Sequence, residues 1–350
     1  MIEIAGTPIG DAHETYIVFE AGPTHNGLDS AKRLIRSAAE AGAHAIKFQI
    51  IDADRLIADP TVTIDYGILK KDGTTETVTE PLIAPLQRRM MTADEWREAK
   101  AEADALGLAF FATVCFPEEV DFVRELGAHS IKIASADVDQ LGLIEYAAKT
   151  GLCIQLDTGN ASLGEIEKAV DCIKATGNLN IIIHHCPTGY PARIDGVNLS
   201  ILSTLKSMFD VPVAFSDHST GWEMDIAAVV LGANLIEKTI TEDRTTPSIE
   251  HVMSMEPHEA AAFVEAVRNV RPALGQKRRV LSEAEVIARS KVRRSAFARR
   301  AMAAGEKIDL EDVDFRRPGT GITYSEFVIL NEKPLSTDLS EGDALTISHF

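Results

Sequence analysis

Eight short apolar runs recur along this chain, and each ends in residues able to do chemistry. They are residues 16–22 (YIVFEAG), 45–49 (AIKFQ), 109–115 (AFFATVC) and 130–135 (SIKIAS), then 153–159 (CIQLDTG), 181–186 (IIIHHC), 211–218 (VPVAFSDH) and 234–239 (NLIEKT). Rich in Ile, Val, Phe and Ala with little alternation, they read as strands covered on both faces in a parallel sheet. Between neighbours lies a stretch with apolar residues at helical spacing, so strand and helix alternate eight times. An α/β chain of that pattern folds as a (β/α)8 TIM barrel, which places its active site at the C-terminal ends of its strands. Polar groups gathered at those ends predict an enzyme.

The helices are marked by caps and stops. Asp29 or Ser30 stands ready to cap a helix running to Glu40, with Gly42 beyond it. Thr92 precedes ADEWREAKAEADAL, which stops at Gly107, and Ser162 opens a helix through Ala175, with Gly177 past its end. A small polar residue at the start and a left-handed glycine at the stop are ordinary helix boundaries. Residues 51–89 are too long for a βα loop and carry Pro60, Pro81, Pro85 and several threonines. They predict an excursion over the barrel mouth, a kind of long loop that usually serves substrate binding.

A barrel takes about 250 residues, so a chain of 350 leaves room for a small extra domain. The expected division is a catalytic barrel over 1–275, a linker over 276–294 and a small β-rich domain over 295–350. Residues 277–300 hold nine Lys or Arg against two acids, the composition of a solvated linker that turns helical around 283–289 and docks on the acidic barrel. Beyond it, Gly and Pro turns separate short apolar pieces down to ALTISHF.

The formal net charge of −18 excludes general nucleic-acid binding, which needs a broad basic surface. It leaves an anionic small substrate open, because a few lysines make a local positive pocket inside an acidic protein. No run reaches the roughly 18 apolar residues of a membrane span. The N-terminus MIEIAGTPIG lacks a basic segment followed by an apolar run, so no signal peptide is expected. Cys115, Cys153, Cys172 and Cys186 are scattered without CxxC spacing and read as core thiols, which suits a cytoplasmic location.

Lys47 and Lys132 each stand inside an otherwise apolar strand, where an ammonium is costly unless it meets an anion. That anion is either a substrate phosphate or carboxylate, or a structural partner such as Glu20 or Glu237. Ser135 and Ser216 offer hydroxyl donors, and Glu20 and Glu237 are candidates for acid–base work. His218 closes the seventh run as a metal ligand or general base. His184 and His185 are adjacent and so point to opposite sides of their strand; one of them is structural. Tyr190, in the CPTGYP turn, either holds a substrate hydroxyl or packs.

These pieces resemble the sialic acid synthase family. The matching fragments are EAGPTHNG (20–27), KFQ (47–49), KIAS (132–135), Thr158 with Gly159, HCPTGYP (185–191), FSDH (215–218), IEK (236–238) and SMEP (254–257). RRPGTGI (316–322) resembles the motif of the antifreeze-like (SAF) domain that ends such synthases. The resemblance covers nearly the whole chain in one order. It implies condensation of phosphoenolpyruvate with an N-acetylated amino-sugar aldehyde, giving a nonulosonic, sialic-acid-like acid and phosphate for surface glycans. It implies that Lys47 and Lys132, with Ser135 and Ser216, neutralise phosphoenolpyruvate, and that Gln49, Asp157, Thr158 and Tyr190 complete the substrate-binding set. Glu20 would activate or orient a water, Glu237 would hold the sugar, and Glu250 would take the place of a family carboxylate. Arg317 would reach across a domain-swapped homodimer to a substrate acyl group in the partner's barrel. A divalent cation, Mn²⁺ or Mg²⁺, would polarise the aldehyde from His218.

The chain departs from the family at named positions. Thr239 stands where a second metal-binding His is usual, and a hydroxyl is a poor replacement for imidazole. Asp157 replaces a Ser, and an acid there repels a phosphate unless it pairs with a lysine or binds the metal itself. Glu250 replaces an Asp, and Thr24 an Asn. The metal site is therefore expected to be rebuilt, with Asp157 or His251 as the second ligand. Alternatives are a related barrel aldolase or synthase with a different aldehyde, and a non-catalytic carbohydrate-binding paralogue.

Overall fold

The computed structural model describes residues 2–350, which form two compact units, 2–275 and Gln276–Phe350. The first unit opens with a hairpin of β1 (Ile2–Ile4) and β2 (Thr7–Ile9), followed by β3 (Tyr16–Glu20), α1 (Leu28–Glu40) and β4 (Ala45–Gln49). An excursion then carries α2 (Ala53–Leu56), an antiparallel hairpin of β5 (Thr63–Leu69) and β6 (Thr75–Pro81), and α3 (Ile83–Gln87). Regular alternation resumes with α4 (Ala93–Ala105), β7 (Ala109–Thr113), α5 (Pro117–Glu125), β8 (Ser130–Ile133), α6 (Leu141–Ala148), β9 (Cys153–Asp157) and α7 (Leu163–Ala175). It ends with β10 (Ile181–His185), α8 (Ile201–Phe209), β11 (Val213–Asp217), α9 (Glu223–Val230), β12 (Leu235–Thr239) and α10 (Pro257–Leu274). The eight strands β3, β4, β7, β8, β9, β10, β11 and β12 close a parallel barrel in that order.

Strand alternation sorts the side chains into two cores. Outward residues such as Ile17, Phe19, Ile46, Phe48, Ile131 and Ile236 pack under the helices. Inward residues at the strand starts, including Tyr16, Val18, Phe111, Ile182 and Leu235, pack with Ile2, Ile4 and Ile9 of the first hairpin. That hairpin plugs the end of the barrel opposite the C-terminal mouth. Its three-residue strands give no periodicity, so sequence reading misses it.

Thr92 and Ser162 cap α4 and α7 through reciprocal boxes with Glu95 and Glu165. The cap expected at Asp29 or Ser30 is corrected: α1 starts at Leu28 behind Gly27, without a side-chain cap. The Ser30 hydroxyl instead donates to Glu242 at 2.6 Å. Among the described residues no helix is long and apolar enough to cross a membrane, and the four cysteines are free.

The second unit holds α11 (Glu283–Val292), antiparallel β13 (Ser295–Ala298) and β14 (Val313–Arg316), and α12 (Tyr324–Leu330). Its own core includes Ala296, Met302, Val313, Phe327, Leu339 and Leu345. The helix expected around 283–289 extends to Val292 and is capped by Ser282.

Candidate active site

The C-terminal ends of the barrel strands surround a cavity of about 340 Å³. Glu20, Lys47, Gln49, Asp157, Glu237 and His218 line it from the strand ends, with Ser135, Tyr190 and Glu250 from the loops that follow. The excursion adds an apolar wall of Ile64, Leu82, Pro85 and Leu86, so the long loop does reach the mouth. A larger hollow of about 750 Å³ flanks the mouth near the start of α7, but it does not gather these charged groups.

Register brings Glu20 beside Lys47 on β3 and β4, and Ser216 beside Glu237 on β11 and β12. Lys132, on β8, lies across the interior from Glu237 on β12 and is fully buried. Its ammonium meets Glu237 at 2.7 Å, Asp157 at 3.1 Å, the Ser216 hydroxyl at 3.0 Å and His184 Nδ1 at 3.2 Å. Burial works against that charge, but Asp157 and Glu237 outweigh it and hold the lysine above its ordinary pKa. Lys47 pairs with Glu20, lies 3.4 Å from Glu237 and donates to Thr113 at 3.2 Å. For Lys47 burial wins, and its pKa falls. Glu237 bridges both ammoniums. Burial raises its pKa, but Lys132 and Lys47 together hold it well below the carboxylate range. It thus stands as the structural partner that was one of the alternatives for the two lysines.

Both alternatives for the lysines therefore bear on one place: they are ion-paired, and the pairs border a cavity. Asp157 meets the condition set by its charge, since it pairs with Lys132. Lys132 and Ser216 are not themselves on the cavity wall; they lie beneath Glu237 and Asp157. Thr158 turns away as well, its hydroxyl donating to the His184 carbonyl at 2.8 Å. Direct substrate contact by these three is thus not provided by this arrangement. Arg317 stands exposed in the second unit.

His184 is the member of the histidine pair that faces inward. Its Nε2 lies 2.9 Å from Gln155 Oε1, and the Gln155 amide donates to Ser130 at 3.0 Å. With the amide so oriented, Nε2 carries the hydrogen and Nδ1 accepts from Lys132. Burial and Lys132 push the His184 pKa well below its usual value, so it stays neutral. His185 faces the helix side, its Nε2 donating to the Val197 carbonyl at 2.5 Å. Gly22 is needed where the chain leaves β3: a Cβ there would lie 2.7 Å from the Gln49 backbone nitrogen.

His218 Nδ1 lies 3.1 Å from the Pro187 carbonyl. A carbonyl only accepts, so Nδ1 carries the hydrogen, and Nε2 is the nitrogen that a metal would use in the neutral ring. The Tyr190 ring packs against the imidazole with centroids 4.8 Å apart. Glu250, in a left-handed backbone conformation at φ 72°, shares the cavity with His218. Burial raises its pKa, and His218 and Arg89 only partly offset that. One neutral imidazole nitrogen with carboxylate oxygens suits a hard divalent cation better than a thiophilic one.

His251 is corrected as a second ligand: its Nδ1 lies 2.7 Å from the Thr241 hydroxyl, and it lines a separate side pocket. Thr239 is buried and absent from the cavity wall. Among the described residues one trio of metal-type donors lies within 4.8 Å of one another, Glu256, His258 and Glu259. Glu256 and Glu259 close the capping box of α10, and Glu259 pairs with Arg244, so those acids already hold a helix start. A cation on His218 would complete its shell with substrate or water oxygens.

The sequence profile of the NeuB family matches residues 34–279, and that of the SAF domain matches residues 293–350. The chain is 33% identical over 348 residues to the N,N'-diacetyllegionaminic acid synthase of Legionella pneumophila, covering 98% of this chain and 96% of that protein. It is 30% identical over 309 residues to the N-acetylneuraminate-9-phosphate synthase of Homo sapiens, covering 87% and 84% of the two. The crystal structure of an N-acetylneuraminic acid (sialic acid) synthetase from Leptospira borgpetersenii superposes with a TM-score of 0.72 at 32% identity, covering 82% of this chain and 94% of that one.

Proposed function

The chain belongs to the NeuB family of carbon–carbon bond-forming, phosphoenolpyruvate-dependent synthases, and on that premise we propose that its acceptor is the open-chain aldehyde of an N-acetylated amino sugar. The products are a nonulosonic acid and phosphate. One observation carries this reading: two lysines from separate strands converge on one shared carboxylate, Glu237, at a cavity that also holds His218 and Glu250.

The enol methylene of phosphoenolpyruvate attacks the aldehyde carbon, whose oxygen takes a proton. Water then adds to the cation at the former enol carbon, and phosphate leaves from the tetrahedral centre to give a ketone. Lys47 is placed to meet the anionic donor, and Lys132 stabilises that end of the cavity through Glu237 and Asp157. Glu20 is placed to orient the incoming water, its Oε1 already accepting from the Gly22 amide at 2.5 Å. Glu237 keeps both ammoniums in register as a permanent anion. Tyr190 braces His218 and presents a phenol to the acceptor. A divalent cation, Mn²⁺ or Mg²⁺, held by His218 with Glu250 or Asp157, supplies polarisation of the aldehyde when bound. A cytoplasmic location and a swapped dimer, with Arg317 serving the partner's cavity, belong to the same reading.

A second reading, sugar binding without turnover, draws on a specific observation: Lys47 on the cavity wall and Lys132 beneath it are already neutralised by carboxylates. Phosphate release separates the two. Purified protein given phosphoenolpyruvate, Mn²⁺ and a panel of N-acetylated amino sugars is expected to release one phosphate per acid formed. Saturable sugar binding with no phosphate from any of them contradicts the synthase reading and favours the second.

A further inference from the structure

Arg89 follows α3, on the excursion beside the barrel mouth. It is only 8% exposed, whereas its neighbour Arg88 reaches outward and grips Glu80 with two bonds of 2.7 and 2.8 Å. Among the described residues Arg89 makes no ion pair, and the one hydrogen bond of its guanidinium is long, from Nη2 to the Ile249 carbonyl at 3.5 Å. A guanidinium has five N–H donors in a fork, so leaving it buried with one weak bond is costly. Burial brings its pKa down to about 10, with Glu250 offsetting only part of the effect.

Arg89 lines the main cavity and also a side pocket of about 290 Å³. That pocket is walled mostly by groups that donate, among them His25, His251, Ser248 and Arg88. Its one carboxylate, Glu242, is taken by Ser30 and Arg33. His25 is 3% exposed, and among the described residues neither of its ring nitrogens has a hydrogen-bond partner. Burial, then Arg89, lowers the pKa of His25 to about 4, so it is neutral at pH 7 and able to offer an N–H. A buried guanidinium without an ion pair, facing a side pocket of imidazoles and hydroxyls whose one carboxylate is already taken, makes a receptor for an anion, with Glu250 of the main cavity as the acid that acts on it.

The donor's charges are assigned above to Lys47, at the strand ends. Arg89 approaches from the excursion, so the group it takes belongs to the other substrate. Resting on the synthase reading, we propose that Arg89 is a specificity-determining residue that binds an anionic substituent, a phosphate monoester or a carboxylate, on the acceptor sugar. A charged aldose, rather than a neutral one, is then the preferred acceptor.

The test compares N-acetylmannosamine, its 6-phosphate and its 6-carboxylate as acceptors for the wild type, Arg89→Met and Arg89→Lys, with phosphoenolpyruvate and Mn²⁺ present. One charged acceptor is expected to exceed the neutral sugar in kcat/KM by about ten- to a hundredfold, the worth of a charge-assisted hydrogen bond. Arg89→Met should erase that preference through the acceptor KM while the KM for phosphoenolpyruvate stays within about threefold; Arg89→Lys should retain part of it. The inference is overturned if the wild type prefers the neutral sugar, or if Arg89→Met raises the donor KM instead. It is equally overturned if that variant lowers the melting temperature without touching acceptor preference, since Arg89 would then be only a brace. Should no sugar release phosphate, the synthase reading fails, and titration with inorganic phosphate tests the anion site alone. Binding lost in Arg89→Met and kept in Arg89→Lys supports the site; equal binding in all three proteins refutes it.

Discussion

Two buried lysine clusters lie one residue apart in sequence and face opposite ways. On β11 and β12, Ser216 and Glu237 point into the barrel, while Asp217 and Lys238 point out toward α9. The inner cluster, Lys47 and Lys132 with Glu20, Glu237 and Asp157, borders a cavity. In the outer one, Lys238 pairs with Asp217, donates to the Ser219 carbonyl at 2.7 Å and lies 3.6 Å from Asp225. Lys238, Asp217 and Asp225 are all at most 2% exposed and none lines the cavity. The chemistry is alike, buried ammonium with carboxylates, yet one cluster can meet a ligand and the other can only fasten helix to barrel. Burial of a charge therefore does not identify a site; access does.

The sharpest way to break this comparison is to remove each lysine. Lys132→Met and Lys238→Met should each cost about 3 to 5 kcal/mol of stability, because each strands buried carboxylates. Denaturant unfolding measures that. Phosphate release should then separate them: Lys132→Met inactive, and folded Lys238→Met within about threefold of wild type. Equal losses of turnover would erase the distinction.

A smaller effect is expected at Asp157. Asp157→Asn keeps the shape but removes an acid from the donor pocket, and steady-state kinetics should show the phosphoenolpyruvate KM falling by about tenfold. A rise would mean that the Asp157–Lys132 pair is itself needed to seat the donor.

The smallest is in the outer cluster. Burial, then Asp217, raises the Asp225 pKa well above its ordinary value, and among the described residues neither of its carboxylate oxygens has a hydrogen-bond partner. A group that binds its proton more tightly when folded lends stability that is full below its unfolded pKa and fades as pH rises through the folded one. Wild type should lose stability from about pH 4 upward relative to Asp225→Asn, and melting curves across pH check this. Parallel curves would show that Asp225 stays ionised, as a working partner of Lys238.

The barrel was legible because parallel strands buried on both faces leave unbroken apolar runs, and Glu20, Lys47, Gln49, Asp157 and His218 stand where those runs end. Cross-barrel partners were not, since sequence order does not state that Lys132 on β8 would meet Glu237 on β12. Which histidine of the 184–185 pair turns inward depended on strand register, as did the division of Ser216 from Asp217. Arg88 and Arg89 look alike in RRMM, and only the packing of the excursion buries one and exposes the other. The turn of the Thr158 hydroxyl toward the His184 carbonyl was likewise a matter of loop geometry, with no signal in residue type.

The most direct test of the account is equilibrium binding of phosphoenolpyruvate to wild type, Lys132→Met and Lys238→Met, by titration calorimetry below their unfolding transitions. The inner substitution should weaken binding by about a hundredfold or more, and the outer one by less than about threefold. Retained affinity in Lys132→Met, or an equal loss in Lys238→Met, would contradict the claim that the inner cluster is the donor site.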